Sequence, residues 1–269
     1  MNNELTVSQL ETFDAHYVNE ERWGLVEPLI RRTLGCSDAQ KPFVVLDVGG
    51  GNGAFADRIL GAFERAEVLV AEPADVLRER NAPHPRKTCL NLAAEELRDS
   101  GLKADLICFN WVLHHLVEDT YKKTVGRIAA TLREAAGLLN TGGHISIYEN
   151  NYNGYGIPNL PGRITYQVGR SSHAARYVRR KGMNTAGVGV CFLSRVGWLR
   201  TFDRAALSLD WECESATGMP GVLARRRLLR AAIGLRDIRV GHYWLSPLQD
   251  RDQLGAGPDS SRDGSEKHD

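Results

Sequence analysis

One stretch constrains this chain more than any other. Phe43-Val44-Val45-Leu46-Asp47-Val48 runs straight into Gly49-Gly50-Gly51-Asn52-Gly53. An apolar run with so few breaks reads as a strand buried on both faces, as strands in parallel sheets are. The glycines let the backbone turn sharply, and helical patterning begins at once over Ala54–Phe63. Parallel neighbours need crossover connections, so a chain that starts this way must repeat the alternation.

It does repeat. A strand over Glu67–Ala71 precedes a helix over Pro73–Arg80, and a short run at Thr88–Leu92 precedes Glu95–Leu97. A strand over Asp105–Asn110 precedes a helix striped by Tyr121, Val125, Ile128, Leu132 and Leu139. Asn140-Thr141-Gly142-Gly143 reads as a turn and His144–Glu149 as a fifth strand. Right-handed crossovers then give an open α/β sheet with helices on both faces. Further on come a helix near Ser194–Leu207, a strand at Leu209–Glu214, a basic helix near Val222–Ala232 and a strand at Asp237–Leu245.

The flanks read differently. Residues 1–40 form two helices, an N-terminal cap. Ser8 and Glu11 have capping-box spacing, with Leu10, Phe13 and Tyr17 on one face, and Trp23, Val26, Ile30 and Leu34 make the second stripe. Residues 150–194 break the alternation, with weak helical periodicity around Ile164–Arg180, and residues 249–269 read as a disordered tail. The expected division is therefore a cap (1–40), a core (41–149 and 195–248), an insertion (150–194) and the tail.

The chain has 269 residues, with 34 Lys and Arg against 33 Asp and Glu, a net charge of +1. That balance gives no general argument for nucleic acid. No apolar run reaches the roughly 20 residues of a membrane span. The start, Met1-Asn2-Asn3-Glu4, is polar rather than signal-like. Five cysteines without a CxxC pair fit reduced thiols, so the expected location is the cytoplasm.

Gly49, Gly51 and Gly53, set between a strand and a helix N-terminus, let a ligand approach the backbone closely. Glu72, at the tip of the second strand, is placed to accept hydrogen bonds from a ribose diol. Together these point to a nucleoside cofactor. A dinucleotide site would space its glycines GxGxxG, and Asp47 would repel its pyrophosphate but suit a cationic ligand end.

The run Asp47-Val48-Gly49-Gly50-Gly51-Asn52-Gly53 resembles motif I, DxGxGxG, of the class I S-adenosylmethionine-dependent methyltransferases. Asn110-Trp111-Val112-Leu113-His114-His115-Leu116 is similar to the segment after strand four in small-molecule members, and Gly142-Gly143 before strand five also matches. The resemblance covers residues 41–149. It implies a Rossmann-like, seven-stranded, mostly parallel sheet whose last strand, near Asp237–Leu245, is antiparallel. It also implies S-adenosylmethionine as cofactor and S-adenosylhomocysteine as product. Asp47 and Gly49 would lie at the methionine moiety, with Gly51 and Gly53 completing the loop. Glu72 would hold the ribose, and Asn110 would offer its backbone to the amino end. The adenine-contacting acid common after strand three is replaced by Ala93-Ala94, with Glu95 next, so Ala94 and Glu95 are the candidates there.

Methyl transfer to a hydroxyl or phenol needs an aligned nucleophile and removal of a proton. The resemblance makes His114 the first candidate base, with Glu149, at the tip of strand five, the second. His115 is weighed as catalytic or as packing on the sheet, and Tyr17 as closing over the cofactor or as core. No carboxylate cluster suggests a metal. After strand four there is no [DNS]PP[YF] sequence of the kind used on nucleobase amines. The resemblance implies an acceptor-binding lid at the place of insertion 150–194. Between Asn150 and Phe202 there is no Asp or Glu, but there are eight cations: Arg163, Arg170, Arg176, Arg179, Arg180, Lys181, Arg195 and Arg200. They fit either an anionic acceptor or pairing with the acidic N-terminal helices. The reading is methyl transfer to a small, aromatic metabolite in a biosynthetic pathway, oxygen ahead of carbon on an indole- or quinone-like ring. The alternatives are an acidic carrier-bound or RNA substrate, and a non-catalytic cofactor-binding protein. Monomer and homodimer both stay open.

Overall fold

The computed structural model describes residues 20–34, 42–170, 189–215 and 227–248. Seven strands form one sheet in the order β3-β2-β1-β4-β5-β7-β6. In chain order the elements are α1 (Glu20–Leu34), β1 (Phe43–Val48), α2 (Ala54–Ala62), β2 (Ala66–Ala71), α3 (Asp75–Arg78) and β3 (Lys87–Leu90). Then follow β4 (Ala104–Asn110), α4 (Tyr121–Gly137), β5 (Leu139–Gly154), α5 (Leu160–Arg170), α6 (Arg195–Arg204), β6 (Leu207–Ser215), α7 (Arg227–Ala232) and β7 (Leu235–Pro247). Strands β1 to β5 pair in parallel, while β7 is antiparallel to both β5 and β6.

Both faces of the sheet are covered, which is why β1 reads as an unbroken apolar run. On one face Trp23, Val26 and Ile30 of α1 and Phe55 and Ile59 of α2 pack on Val45, Val68 and Trp244. On the other, Ile128 and Leu132 of α4 and Trp198 and Phe202 of α6 pack on Ile107, Phe109 and Ile147. Each such buried side chain contributes about 1.5–3 kcal/mol. Ser194 caps α6 by accepting from Gly197 N–H, and Thr120 caps α4 by accepting from Lys123 N–H.

Several boundaries differ from those read in the sequence. The helix expected over Pro73–Arg80 shortens to Asp75–Arg78, and Leu97–Asp99 is a single 3-10 turn. The expected turn at Asn140–Gly143 is a bulge inside β5: Leu139 pairs with Ala104, and pairing resumes at His144 with Leu106. The strand also continues past Glu149 to Gly154, five residues into the stretch expected to be insertion. Asparagines drive that extension. Asn151 donates to Glu214 at 2.7 Å and accepts from the Tyr243 hydroxyl at 2.9 Å, and Asn153 donates to Asp237 at 2.7 Å. Partners on β6 and β7 thus satisfy side chains that look like loop residues in isolation. The Ser8–Glu11 capping box, Tyr17 and residues 249–269 lie outside the described residues.

Candidate active site

The glycine loop leaves β1 with Gly49 N–H bonded to the Ala71 carbonyl at 2.8 Å. It enters α2 at Gly53, whose φ of +77° is the left-handed region that favours glycine. A Cβ there would also lie 1.9 Å from Asn81 Oδ1. Asn81 earns that close approach by donating to the Gly51 carbonyl at 2.8 Å, which braces the loop from outside. Gly51 is different: at φ +56° its missing Cβ would meet nothing within 4 Å, so this part of the loop borders open space. Glu72 closes the loop's other side. Its carboxylate accepts from Gly51 N–H at 3.1 Å and from Ala74 N–H at 2.9 Å. Burial raises its pKa, and those two N–H groups oppose the rise.

Asp47 sits beneath the loop, 1% exposed. One oxygen accepts from Asn110 Nδ2 at 3.2 Å, while Oδ2 has no hydrogen-bond partner. Burial pushes the carboxyl up to about 7, against the pull of Asn110 and Arg22, with Glu72 adding a further upward push. The Asn110 amide reaches the other way too, since its Oδ1 accepts from Arg22 Nε at 3.1 Å. Arg22, on α1, also donates to Ser146 Oγ at 2.8 Å and lies over the rings of Phe55 and Tyr148. The sequence reading missed Arg22, Asn81 and the side-chain role of Asn110. For Arg22 a signal existed: it falls four residues before Val26, on the stripe of α1 that faces the sheet.

His114 and Glu149 meet. His114 closes the 3-10 turn Leu113–His115 after β4, and Glu149 lies on the neighbouring β5, fully buried. His114 Nδ1 stands 2.9 and 3.1 Å from the two Glu149 oxygens, and the His114 backbone N–H donates to the same carboxylate at 3.3 Å. A carboxylate so placed makes Nδ1 the protonated nitrogen and leaves Nε2 as the lone-pair side. The turn is tied to the glycine loop as well, because a Cβ on Gly49 would fall 2.5 Å from Val112 Cγ2. The ring of His114 stacks on Phe192 at 5.0 Å, and Phe192 stacks on Tyr152 at 4.3 Å with an interplanar angle of 3°. The Phe192 segment is held there by backbone, with Cys191 N–H donating to the His114 carbonyl at 2.9 Å and Tyr152 N–H to the Leu193 carbonyl at 2.8 Å.

The remaining candidates are less central. His115 is half-buried with its ring 4.1 Å from that of His114, and burial holds it well below the ordinary histidine range, hence neutral. Ala94 packs into the core below α4, and Glu95 is exposed. Tyr17 falls outside the described residues, as do Arg176, Arg179, Arg180 and Lys181. Among the described residues no group of three or more His, Cys, Asp or Glu could hold a metal ion. No helix among them is long and apolar enough to cross a membrane. The described arginines Arg163, Arg170 and Arg195 do not pair with α1. Arg195 pairs with Glu212, Arg170 donates to the Glu118 carbonyl and Arg163 lies over the Tyr121 ring.

Residues 46–145, which run from the glycine loop's strand to the fifth strand, match the family described as a methyltransferase domain. Over that stretch the chain carries a methyltransferase domain. No curated protein matches it significantly. Among solved structures, the domain and its flanks are similar to a Burkholderia thailandensis 1,6-didemethyltoxoflavin-N1-methyltransferase, solved with 1,6-didemethyltoxoflavin and S-adenosylhomocysteine. The identity is 18%, the match covers 90% of this chain and 85% of that one, and the TM-score is 0.55. A Leishmania major S-adenosylmethionine-dependent methyltransferase is 12% identical over 85% of this chain and 74% of that one, with a TM-score of 0.52. LepI in complex with S-adenosylmethionine is 11% identical with a TM-score of 0.52. That match covers 81% of this chain, but the chain spans only 46% of LepI. At these identities the likeness is one of fold. The methyltransferase domain's chemistry has to be argued from its own residues.

Proposed function

We propose that the protein transfers a methyl group from S-adenosylmethionine to a small, flat acceptor, and that His114 removes the acceptor's proton. The observation that carries this reading is the buried His114–Glu149 pair on the turn that packs against the glycine loop. The residues present suit the cofactor. Asp47 offers a buried carboxylate oxygen without a partner to its ammonium end, Glu72 stands at the tip of β2 for its ribose hydroxyls, and Gly51 lets backbone approach it. When bound, the cofactor supplies an electrophilic methyl on a sulfonium.

The chain supplies the rest. Glu149 fixes the tautomer and orientation of His114 and stabilises the imidazolium that forms when Nε2 takes a proton. Glu149 is therefore a positioning residue rather than a base in its own right, which narrows the two candidates to one pair with two roles. A base matters for an acceptor with a dissociable proton, so a phenolic oxygen or a ring N–H suits the site better than a carbon with no acidic proton. The Tyr152–Phe192–His114 stack lines this side of the site with aromatic surface, which supports a planar acceptor. The B. thailandensis neighbour, bound to 1,6-didemethyltoxoflavin, adds support for a small-molecule acceptor.

Mass spectrometry with deuteromethyl-labelled cofactor and a metabolite extract tests the reading and identifies the acceptor. A single labelled small molecule is the expected product, and label appearing only in RNA or a carrier protein overturns it. With the acceptor in hand, His114→Ala should lower kcat by about 10²- to 10⁴-fold while S-adenosylhomocysteine affinity stays unchanged. Glu149→Gln should lower kcat less and move the pH profile of kcat. Full rate in both variants would mean that no proton has to be removed.

A further inference from the structure

His242, in the middle of β7, is fully buried, and neither nitrogen of its ring has a hydrogen-bond partner among the described residues. A buried polar atom without a partner destabilises the fold, and an imidazole that only packs normally bonds at least one nitrogen to backbone or a side chain. Burial, followed by the Arg22 cation, lowers the ring to about 3, so it is neutral: one nitrogen can donate and the other accept. Asp47 is nearly as deeply buried, so burial alone does not separate His242 from groups that meet a ligand.

The strand register shows which surface His242 belongs to. It pairs with Tyr148 on β5, which pairs with Asn110 at the end of β4. Arg22 lies over the Tyr148 ring, so this is the face that α1 covers. Pairing of β5 with β7 is regular from Ile145 to Asn153, and side chains alternate along a strand. Tyr148, Asn150 and Tyr152 therefore share that face on β5, and His242, Val240 and Ile238 share it on β7. Tyr152 stacks on Phe192, and Phe192 on His114. The unpartnered imidazole and the aromatic wall beside His114 thus belong to one surface.

Rings run across this surface as well as along it. The His242 ring is 4.5 Å from that of Tyr148, and the Tyr148 ring is 4.4 Å from that of Trp111. Trp111 follows β4 at φ +54°, a conformation that a bulky residue adopts only under constraint, and such outliers gather at ligand sites. Strands β4 and β7 stand two strand spacings apart, about 10 Å, so a planar molecule on this face can reach from the turn after β4 to His242.

We infer that His242 is a second point of recognition for the acceptor, hydrogen-bonding a neutral polar group on its ring away from the atom that is methylated. The substrate class narrows accordingly. It is a planar ring with a hydroxyl or N–H to be methylated and a further neutral oxygen or nitrogen, such as a ring carbonyl. The inference rests on the methyl-transfer reading and adds to it a residue on β7, outside the stretch that matches the methyltransferase family.

Incubation with labelled cofactor and a metabolite extract tests the inference first, without any variant. The labelled product of the wild-type protein should carry a ring oxygen or nitrogen besides the one methylated, and a product with a single heteroatom overturns the inference. The unmethylated form of that product, purified from the extract, is the probe for the residue itself. Adding it to the wild-type protein with S-adenosylhomocysteine bound should shift the ring-nitrogen NMR resonances of His242, and unmoved resonances overturn the assignment. His242→Phe should raise its KM about three- to tenfold, the range of a neutral hydrogen bond, with kcat and S-adenosylhomocysteine affinity unchanged. His242→Gln, which keeps a donor and an acceptor, should recover part of that loss. His242→Phe should also melt higher than wild type, because it removes an unpartnered polar group. A higher melting temperature with an unchanged KM makes His242 a core residue and overturns the inference. Absence of any labelled product from the wild-type protein would instead sink the methyl-transfer reading, and the inference with it.

Discussion

Asp47 joins stability to binding in one carboxyl group. Its pKa is near 3.8 in an unstructured chain and is pushed up to about 7 in the folded protein by burial. The folded state therefore holds a proton that the unfolded state has released, and stability falls as pH rises through that window. Asp47→Asn removes the titration. The unliganded variant should be more stable than wild type at about pH 8, by on the order of 1–3 kcal/mol and with a higher unfolding temperature, and the gain should fade near pH 4. The same variant should bind S-adenosylhomocysteine more weakly, because the ammonium loses its counter-charge. Wild-type affinity should rise about tenfold from pH 6 to pH 8 as the carboxyl ionises. The charged and titratable groups facing it are Arg22 on α1, Glu72 just after β2 and Cys108 on β4. Thermal unfolding and calorimetry across pH check both halves. A variant less stable than wild type at every pH would show that Asp47 is a structural acid. At this scale, much of the site was legible in the sequence. Asp47 and the glycines follow from local spacing at the β1–α2 junction, and Glu72 from its place at the end of β2. Asn81 reaches the loop from elsewhere in the chain, where spacing carries no record of the contact, and Arg22 shows in the sequence only as a position on the sheet-facing stripe of α1.

Elements were legible where periodicity alone decides them and illegible where side chains from distant strands do. The β1–α2 junction and α4 needed only apolar pattern and glycine position. The end of β5 was read as lid because Asn151 and Asn153 look like loop residues, and partners on the neighbouring strands, Glu214, Asp237 and Tyr243, satisfy them within a strand. Extending β5 carries Tyr152 beneath Phe192 and so builds the wall beside His114. Helix α5 presses on the back of that wall: a Cβ on Gly162 would lie 2.0 Å from the Phe192 carbonyl oxygen. Gly162→Ala must push the 189–193 segment away from α5, at a cost of about 1–3 kcal/mol. The expected result is a lower melting temperature and a several-fold higher KM for the acceptor, with S-adenosylhomocysteine affinity intact. Parallel loss of cofactor affinity would show that the wall and the glycine loop are one cooperative unit.

For the molecule as a whole, the strand order places β1 and β4 side by side at the point where the sheet reverses direction, and α/β sheets bind ligands at that reversal. Asp47 and Asn110 meet there through a hydrogen bond, so the proposed cofactor contact and the proposed base, His114 just after β4, fall at the ends of adjacent strands. Charge is divided just as sharply. Residues 150–202 hold eight cations and no acid, leaving the rest of the chain at −7. The fold already uses part of that excess, since Arg195 is paired with Glu212 and Arg170 is bound to the Glu118 carbonyl. A cation-rich segment of this kind can attract a small anion through one or two contacts, or a polyanion through many. Salt separates them, because each phosphate contact released adds to the slope of affinity against ionic strength. A small acceptor bearing one carboxylate should show a KM that rises only a few-fold between about 50 and 200 mM salt, whereas six or more phosphate contacts would weaken binding about a thousandfold or more. Initial rates at the two salt concentrations measure it directly. A steep loss would move the acceptor from small metabolite to nucleic acid while leaving the methyl-transfer site unchanged.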